Sequence, residues 1–293
     1  MKKSISLSVL FLLVSSFLYA QAGEATIAVK AAAKPTRVLY KTVDGVNLYL
    51  HLYYPSDFNP RKTYPVLLFF FGGGWQKGSY RQFEPHAEYF SGRGLISVLA
   101  DYRIASEHQT TPFDAVRDAK SAIRYVREHA EELNMDPSRI AAAGGSAGGH
   151  LAAAAGNVPG LEEAGENRAV SSKPNGLVLF NPVFDNGPGG YGYERIRDRY
   201  REISPLHNIR PGAPPTIVFL GTKDQLVPVA TARAYQKKME KVGSRCELLL
   251  YEGQPHGFFN YANLPFYKKT VYEADRFLQS IGFLEGPPTI QPE

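Results

Sequence analysis

The stretch AAAGGSAGGH, Ala141–His150, places one serine hydroxyl among four glycines and four alanines. The residues before it, RIAAAGG, have the apolar character of a buried strand, and those after it, AGGHLAAAAGN, are typical of a helix start. Gly144–Gly148 is therefore a G-x-S-x-G pentapeptide at a strand-to-helix turn. Such a turn exposes the serine hydroxyl above a sheet, and the glycines avoid collisions across the bend. The pattern predicts that Ser146 is a nucleophile.

Short apolar runs alternate with helical patterns from about residue 37 onwards. The first two runs, joined at Asp44-Gly45, predict an antiparallel hairpin. Six later runs have the near-continuous apolar character of strands buried on both faces of a parallel sheet. They are YPVLLFFFGGG, LISVLADYR, RIAAAGGS, GLVLFNPVF, PPTIVFLGTKD and CELLLYEG. We predict an α/β fold with a mostly parallel central sheet of about eight strands and helices on both faces.

The clearest helical pattern is TPFDAVRDAKSAIRYVREHAEELN, residues 111–134, in which apolar residues recur at helical spacing as far as Leu133. Thr111 is suited to cap its start, Pro112 to its first turn, and Asp114 to the positive end of its dipole. A later pattern, ATARAYQKKMEKVG, ends at Gly243, a suitable C-terminal cap.

Residues 185–214 interrupt the alternation of strands and helices. Structureless loops of this length are uncommon and often functional. Tyr193, Ile196, Tyr200 and Ile203 are spaced as one face of a short helix. We predict a small insertion, here called the cap, that either docks as a surface helix or covers a pocket in which Tyr191 or Tyr193 contacts a substrate.

The first residues have the features of a secretory signal peptide. Lys2 and Lys3 precede the apolar run ISLSVLFLLVSSFLYA, and small residues at Ala20 and Ala22 form an A-x-A cleavage site. The run is shorter than the roughly 20 residues of a membrane span. We expect export, to the periplasm or outside the cell, with cleavage near Ala20 or Ala22. Removing the two lysines would reduce the net charge from +5 to about +3, which argues against nucleic-acid or membrane partners.

Cofactor and disulfide chemistry is not indicated by the composition. The only cysteine, Cys246, lies in an apolar strand and is expected to be an inert core residue. No cysteines and histidines cluster at the spacing of metal ligands, so we predict neither a metal nor a cofactor.

A serine nucleophile requires a base that is held by a carboxylate. In this architecture the chain order is serine, acid, histidine, each after a strand end. His256 in YEGQPHGFFN follows the last strand and is the predicted base, because His150 is too close to the serine and His207 lies in the cap. Asp224 in IVFLGTKDQLVP, after the preceding strand, is the favoured acid, and Asp185 is its rival. Alternatively, Asp224 is a turn residue that caps the next helix.

Backbone N–H groups are expected to bind the oxyanion of a tetrahedral intermediate. The amide of Ala147, which follows the nucleophile, is one expected donor. The glycines of FFFGGGW, after the strand that begins near Val66, allow close approach of the backbone to a ligand. Trp75 next to them is predicted either to wall an acyl or sugar pocket or to lie in the core.

The motifs FGGGW, DYRIASEH, GGSAGGHLAA, GTKDQLVP and QPHGF together resemble the α/β-hydrolase superfamily. More narrowly, they resemble the hormone-sensitive-lipase-like esterases and the related exported acetylxylan and feruloyl esterases. The resemblance covers residues 37–284 and implies the α/β-hydrolase fold. It also implies the roles of the site residues. These are nucleophile Ser146, acid Asp224, base His256 and oxyanion donors Gly73, Gly74 and Ala147.

Three further comparisons with the family refine this expectation. Tyr102 and Arg103 match a motif that is structural in the family. Phe71 replaces the histidine that begins the family's H-G-G-G motif; that histidine orients the loop and does no chemistry. The N-terminal cap helices of the lipase-like branch are short or absent, which favours an open site and argues against long-chain lipids.

These features predict a secreted serine carboxylester hydrolase that removes acetyl or feruloyl groups from plant polysaccharides such as xylan. A general short-chain or lipase-like esterase is the alternative, followed by a prolyl-oligopeptidase-like peptidase and by a binding protein on a hydrolase scaffold. The predicted segments are a signal peptide (1–22), a mobile segment (23–36), a catalytic domain (37–284, with the cap at 185–214) and a C-terminal tail (285–293).

Overall fold

A single sheet runs through the part of the chain that the computed structural model describes, residues 35–292, and has eight strands there. The predicted signal peptide and nearly all of the predicted mobile segment lie outside the described residues. The strands are β1 (Thr36–Val43), β2 (Val46–Tyr53), β3 (Tyr64–Phe70), β4 (Ile96–Ala100), β5 (Met135–Gly145), β6 (Gly176–Phe180), β7 (Thr216–Gly221) and β8 (Cys246–Tyr251).

The strand order is β1-β2-β4-β3-β5-β6-β7-β8. β1 and β2 form the predicted antiparallel hairpin, and β2 also pairs antiparallel with β4. All other neighbouring strands are parallel. The carboxyl ends of β3, β5, β6, β7 and β8 therefore lie along one edge of the sheet. The predicted α/β architecture with a mostly parallel sheet is confirmed.

Helices cover both faces of the sheet. They are α1 (Glu84–Gly92), α2 (Ala105–His108), α3 (Pro112–Glu128), α4 (Ala147–Asn157), α5 (Tyr193–Ile196), α6 (Pro205–Asn208), α7 (Val229–Lys241) and α8 (Leu264–Ser280). Leu68 and Phe70 of β3 pack into one core with α3, α4 and the cap, here called the cap-side core. Leu67 and Phe69 face the opposite way and pack into a second core with α1 and α8, here called the α8-side core.

α3 begins as the sequence predicts and ends earlier than predicted. Thr111 and Asp114 form a reciprocal capping box, and Pro112 occupies the first turn. The helix ends at Glu128 rather than continuing through Leu133. Asn134, with a φ of +56°, then reverses the chain into β5, a conformation that no helix can include.

A buried ionic cluster explains the structural role expected for Arg103. Asp118 of α3 is fully buried and accepts hydrogen bonds from Arg103 Nε (2.8 Å) and Lys41 Nζ (2.6 Å). Because Lys41 lies on β1 and Arg103 follows β4, this carboxylate joins the hairpin, the sheet and α3. Its two cationic partners offset the cost of burying its charge.

β8 departs from the prediction that all six later strands are buried on both faces. It is an edge strand that pairs only with β7 in the described chain, and Glu247–Tyr251 are partly exposed. Cys246 at its start is buried, as predicted, and burial raises the pKa of its thiol to about 12.

The cap is built from several short helical pieces instead of the one helix that its spacing suggests. α5 ends at Ile196, a 3₁₀ helix spans Arg197–Glu202, and α6 follows. Arg197 has a φ of +51°, which breaks the α-helix. Ile196 and Ile203 are nevertheless buried in the cap-side core, so the predicted apolar face exists on an irregular backbone. None of the helices within residues 35–292 has the length and apolar character that crossing a bilayer requires.

Candidate active site

Ser146 lies on a sharp, strained turn between β5 and α4. Its φ of +54° and ψ of −117° belong to a region that non-glycine residues rarely adopt. A Cβ on Gly144 would lie 2.5 Å from the Gly148 backbone, and one on Gly148 would lie 2.0 Å from the Phe70 carbonyl oxygen. The two glycines are therefore required because β5, α4 and the end of β3 meet without room for side chains.

Three predicted side chains meet at this turn. The Nε2 atom of His256 lies 2.9 Å from Ser146 Oγ, and its Nδ1 atom lies 2.7 Å from Asp224 Oδ2. A carboxylate has no hydrogen to donate, so Nδ1 carries the proton and Nε2 is free to accept the serine proton. The loops after β5, β7 and β8 thus supply an ordered nucleophile, acid and base.

Asp224 is fixed by more than the histidine. Its side chain is 0% exposed, and Oδ1 accepts the N–H groups of Leu226 and Val227, each at 2.9 Å. Asp224 is therefore both a turn residue and the partner of the histidine, but the alternative that it caps the next helix is wrong, because the N-cap residue of α7 is Pro228. These bonds hold the carboxylate in one orientation towards His256.

The rival acid and the other histidines lie elsewhere. Asp185 accepts the N–H of Gly187 and lies 3.7 Å from His207 Nδ1, so it pairs within the cap. His150 is fully buried on α4 and donates from Nε2 to the Ile203 carbonyl at 3.0 Å. The rings of these two histidines make their hydrogen bonds to Ile203 and Ser204, and not to the Ser146 hydroxyl.

The loop after β3 lies beside the nucleophile. A Cβ on Gly72 would lie 3.5 Å from Ser146 Cβ. The Gly73 carbonyl accepts the N–H groups of Gln76 and Lys77 at 3.1 and 3.2 Å, which turns this peptide so that the Gly74 N–H points away from them. Within residues 35–292 no hydrogen-bond partner occupies the N–H groups predicted as oxyanion donors. These are the amides of Gly73, Gly74 and Ala147.

Two side chains that sequence reasoning missed hold this loop. Gln82 Oε1 accepts the Gly72 N–H at 2.6 Å, and its Nε2 donates to Asn260 Oδ1 at 2.9 Å. Arg195 of the cap donates from Nη1 to the Gly74 carbonyl at 2.6 Å. Neither residue follows a strand end or belongs to a motif, so no local signal marks them.

Of the three predicted substrate contacts, only Tyr191 lies over the site. A Cβ on Gly74 would lie 2.7 Å from the Tyr191 hydroxyl oxygen. Tyr193 instead donates to Asp198 and packs edge-on against Tyr200, both within the cap.

The prediction that Trp75 walls a substrate pocket is not supported, and the core alternative is correct. Trp75 is 2% exposed and belongs to the cap-side core. Its ring packs edge-on against His150, with 4.9 Å between ring centres, and at a tilt against Tyr191, with 5.8 Å between ring centres. The indole therefore supports the cap from beneath.

A cavity of about 180 Å³ lies between the cap and the loop after β7. Its apolar lining includes Val183, Phe184, Leu226 and Val227. Val183 also donates its N–H to the Ser146 carbonyl at 3.3 Å, so one lining residue of this cavity contacts the backbone of the nucleophile.

A larger cavity, of about 470 Å³, lies at the other end of α4 and contains none of the predicted site residues. Two of its basic side chains hold the loop between α4 and β6. Lys120 donates to the Val158 carbonyl at 2.8 Å, and Arg124 pairs with Glu162 and Glu166. Among residues 35–292, no group of three or more histidines, cysteines or carboxylates could hold a metal ion.

Comparison with known proteins agrees with this fold. A family model described as BD-FAE matches residues 50–183, and one described as alpha/beta hydrolase fold matches residues 191–260. The structure of the thermophilic esterase 2 from Thermogutta terrifontis superimposes with a TM-score of 0.82 at 48% identity, covering 86% of this chain and 94% of that one. The chain belongs to the α/β-hydrolase superfamily. The predicted resemblance is confirmed.

The curated α/β-hydrolase relatives are more distant. Esterase LipC from Mycobacterium tuberculosis is 30% identical over 226 residues, which are 68% of this chain and 54% of LipC. A probable isoprenylcysteine alpha-carbonyl methylesterase from Arabidopsis thaliana is 29% identical over 235 residues, 71% of this chain and 48% of that protein. The chain spans about half the length of the curated relatives that it matches.

Phe71 shows how this α/β-hydrolase holds its glycine loop without the histidine of the family motif. The Phe71 ring stacks on Tyr102 at 4.1 Å, with the two planes 19° apart. The Tyr102 hydroxyl donates to the Phe71 carbonyl at 2.8 Å. Stacking and one buried hydrogen bond therefore fix the start of the loop, and Tyr102 has the structural role that the motif implied.

Proposed function

We propose that the protein is a serine carboxylester hydrolase in which Ser146 is the nucleophile, His256 the base and Asp224 the orienting acid. The observation that carries this proposal is the continuous hydrogen-bond chain from Asp224 through His256 to Ser146 on a strained turn. The superfamily membership and the similarity to an esterase of nearly the same length support it.

In the proposed reaction, Ser146 Oγ attacks the ester carbonyl carbon as its proton passes to His256 Nε2. The carbonyl oxygen becomes an oxyanion that accepts hydrogen bonds from Gly73, Gly74 and Ala147. The intermediate then expels the alcohol, whose oxygen takes the proton from His256, and leaves an acyl-serine. Water then attacks the carbonyl carbon of the acyl-serine as it gives a proton to His256. The second intermediate breaks its bond to Ser146 Oγ and releases the carboxylic acid, and Oγ takes the proton back from His256.

For the substrate, we propose short acyl esters and, among them, acetyl or feruloyl groups on plant polysaccharides such as xylan. The cavity between the cap and the loop after β7 has the size of a short acyl chain, and the cap consists of only a few short helices. Structures of the Thermogutta esterase carry propionate and butyrate, which favours short chains here as well. A general short-chain carboxylesterase is the alternative, and a peptidase is the less favoured one.

Hydrolysis of p-nitrophenyl esters from acetate to octanoate, beside Ser146→Ala, tests the proposal. Loss of a triad nucleophile lowers turnover by about 10⁶-fold. Activity that is highest on acetate and absent in Ser146→Ala would support a short-acyl serine esterase. Equal activity of the two proteins would contradict it. Hydrolysis of acetylated xylan or methyl ferulate would then favour the carbohydrate esterase. Activity on the p-nitrophenyl esters alone would favour the general esterase, and hydrolysis of a p-nitroanilide would favour the peptidase.

We also propose that the protein is exported. The basic start, apolar run and A-x-A site of residues 1–22 support this proposal. Mass spectrometry of the protein recovered from outside the cytoplasm of a producing bacterium tests it. A new N-terminus near residue 21 or 23 is expected. A protein that keeps Met1 and stays in the cytoplasm would contradict it.

A further inference from the structure

Asn181 lies where the backbones of three site elements meet. It is the first residue after β6, and its side chain is fully buried. Its N–H donates to the Phe219 carbonyl of β7 at 2.7 Å. The carbonyl of the preceding residue, Phe180, accepts the N–H of Ser146 at 2.9 Å. Asn181 therefore directly follows the residue whose carbonyl holds the N–H of the nucleophile. Its φ of +35° is one that a non-glycine residue adopts only at a cost in free energy.

The orientation of its side-chain amide is determined by a backbone group. Asn181 Oδ1 accepts the Gly257 N–H at 2.9 Å, and its Nδ2 lies 3.3 Å from His256 Nε2. A backbone N–H can only donate, so the oxygen must face Gly257 and the NH₂ group must face the histidine. The amide thus holds the histidine loop with one end and directs a donor to the catalytic nitrogen with the other.

Two hydrogen-bond donors point at the single lone pair of His256 Nε2. His256 Nδ1 keeps its hydrogen because it donates to Asp224, so Nε2 is an acceptor in the resting state. Ser146 Oγ–H approaches it at 2.9 Å and the Asn181 amide at 3.3 Å. Once the serine proton has moved to Nε2, the lone pair is consumed, and the amide loses its acceptor.

We propose that Asn181 is a positioning residue for His256, which holds the histidine loop through Gly257 and favours the unprotonated Nε2 that acts as a base. The inference rests on the proposed function, because it concerns how the same triad is prepared. Asn181 acts through the histidine and does not touch the reacting ester. A neutral amide suits this role, because a carboxylate at the same place would favour the protonated ring.

The sharpest test is Asn181→Asp, which keeps the shape and the acceptor for Gly257 but replaces the NH₂ donor by an acceptor. A negative charge beside Nε2 should move the acid limb of the pH profile to higher pH by about one unit or more. Asn181→Ala removes both bonds, and misplacement of the ring should lower kcat by at least about tenfold with little change in KM. Asp224, the titratable group that contacts His256 in the described chain, and the Ser146 hydroxyl stay the same in both variants.

The readout is the rate of covalent labelling of Ser146 by paraoxon as a function of pH, which needs no knowledge of the natural ester. Structures of the Thermogutta esterase include one phosphorylated by paraoxon, so the probe suits this type of site. Asn157 provides a matched control: it is also a buried asparagine, and it donates to the Ala153 carbonyl and the Tyr235 hydroxyl, each at 2.9 Å, at the far end of α4. Asn157→Asp and Asn157→Ala should lower thermal stability and leave the acid limb in place.

An upward shift of the acid limb in Asn181→Asp but not in Asn157→Asp supports the proposal. It is overturned if the acid limbs of Asn181→Asp and the unmodified protein coincide, or if Asn157→Asp moves the limb equally. Should Asn181→Ala fail to fold, Asn181→Asp, which keeps the Gly257 bond, decides alone. A different result marks the failure of the proposed function itself: the unmodified protein would not be labelled at Ser146, and both proposals would fall.

Discussion

Arg195 of the cap donates a hydrogen bond to the carbonyl oxygen of Gly74 in the loop beside the nucleophile, at 2.6 Å. The guanidinium also lies 5.6 Å from the centre of the Tyr191 ring. The hydrogen bond to Gly74 fixes a peptide next to two of the proposed oxyanion donors, the amides of Gly73 and Gly74. The cap is therefore part of the support of the site as well as its cover.

Replacing Arg195 by methionine should lower kcat without raising KM for a small ester. Methionine keeps an unbranched chain as far as the position of Arg Nε, but the Gly74 carbonyl loses its donor and the loop is less well ordered. We expect a loss of about tenfold, less than the roughly 10²-fold that follows removal of a direct oxyanion donor. Steady-state kinetics with p-nitrophenyl acetate measure it.

Arg199→Met is the matched control for this prediction. Arg199 lies in the same cap, carries the same charge, and pairs with Glu202 on the surface at 2.7 Å. Its loss should leave kcat unchanged. Equal effects of the two substitutions would mean that charge, rather than the Gly74 contact, is responsible.

Asp224→Asn should reduce kcat by about 10⁴-fold, because an amide no longer holds the imidazole in the required tautomer. Asp185→Asn, at the rival position, should retain activity, since Asp185 contacts Gly187 and His207 only within the cap. Kinetics of the two variants on one ester distinguish the acids. Loss of activity in Asp185→Asn with retention in Asp224→Asn would reverse the assignment.

Gly148→Ala should destabilise the protein by about 2 kcal/mol or more, because the new Cβ would lie 2.0 Å from the Phe70 carbonyl oxygen and both backbones would have to shift. Gly92→Ala provides the comparison. Gly92 ends α1, and a Cβ there meets nothing within 4 Å. That substitution should be neutral or stabilise by up to about 1 kcal/mol. Urea unfolding monitored by circular dichroism gives both values, and similar losses in the two variants would contradict the steric explanation.

We expect the buried His86 to make the stability of the protein sensitive to acid. It is 0% exposed, packs against the rings of Phe83 and Tyr267, and neither ring nitrogen has a partner among residues 35–292. Burial lowers its pKa from 6.5 to about 3. Between these values the unfolded chain binds a proton that the folded chain does not, so the stability present above about pH 6.5 is lost as the pH falls towards 3.

His86→Leu should remove this contribution. The free energy of unfolding should then fall less steeply with pH, by about 1.4 kcal/mol per pH unit between the two pKa values. Burial lowers the pKa of His150 as well, to about 4, so part of the acid sensitivity should remain. Urea unfolding across this pH range measures the slope. An unchanged slope in His86→Leu would contradict the prediction.

The residues of the site could be predicted from the sequence where their chemistry depends on a local pattern. The strained turn at Ser146 needs glycines on both sides, and Asp224 and His256 each follow a strand, so their meeting was predictable from topology. The hairpin, the eight strands and the capping box of α3 are equally local.

The remaining features depend on contacts between distant parts of the chain. Gln82 meets Asn260 across 178 residues, and Arg195 meets Gly74 across 121. The burial of Trp75 depends on the cap that lies over it. Asn181 is the exception: as a polar residue directly after β6, it stands at a strand end like Asp224, and that signal could have identified it.

The two cores on opposite faces of the sheet anchor different parts of the site. The cap is anchored in the cap-side core through Ile196 and Ile203, whereas Phe258 and Phe259, which closely follow His256, are buried in the α8-side core. For protein engineering, this means that the surface facing the substrate and the mounting of the base are separate modules. A cap exchanged to admit larger esters leaves the anchor of the histidine loop untouched.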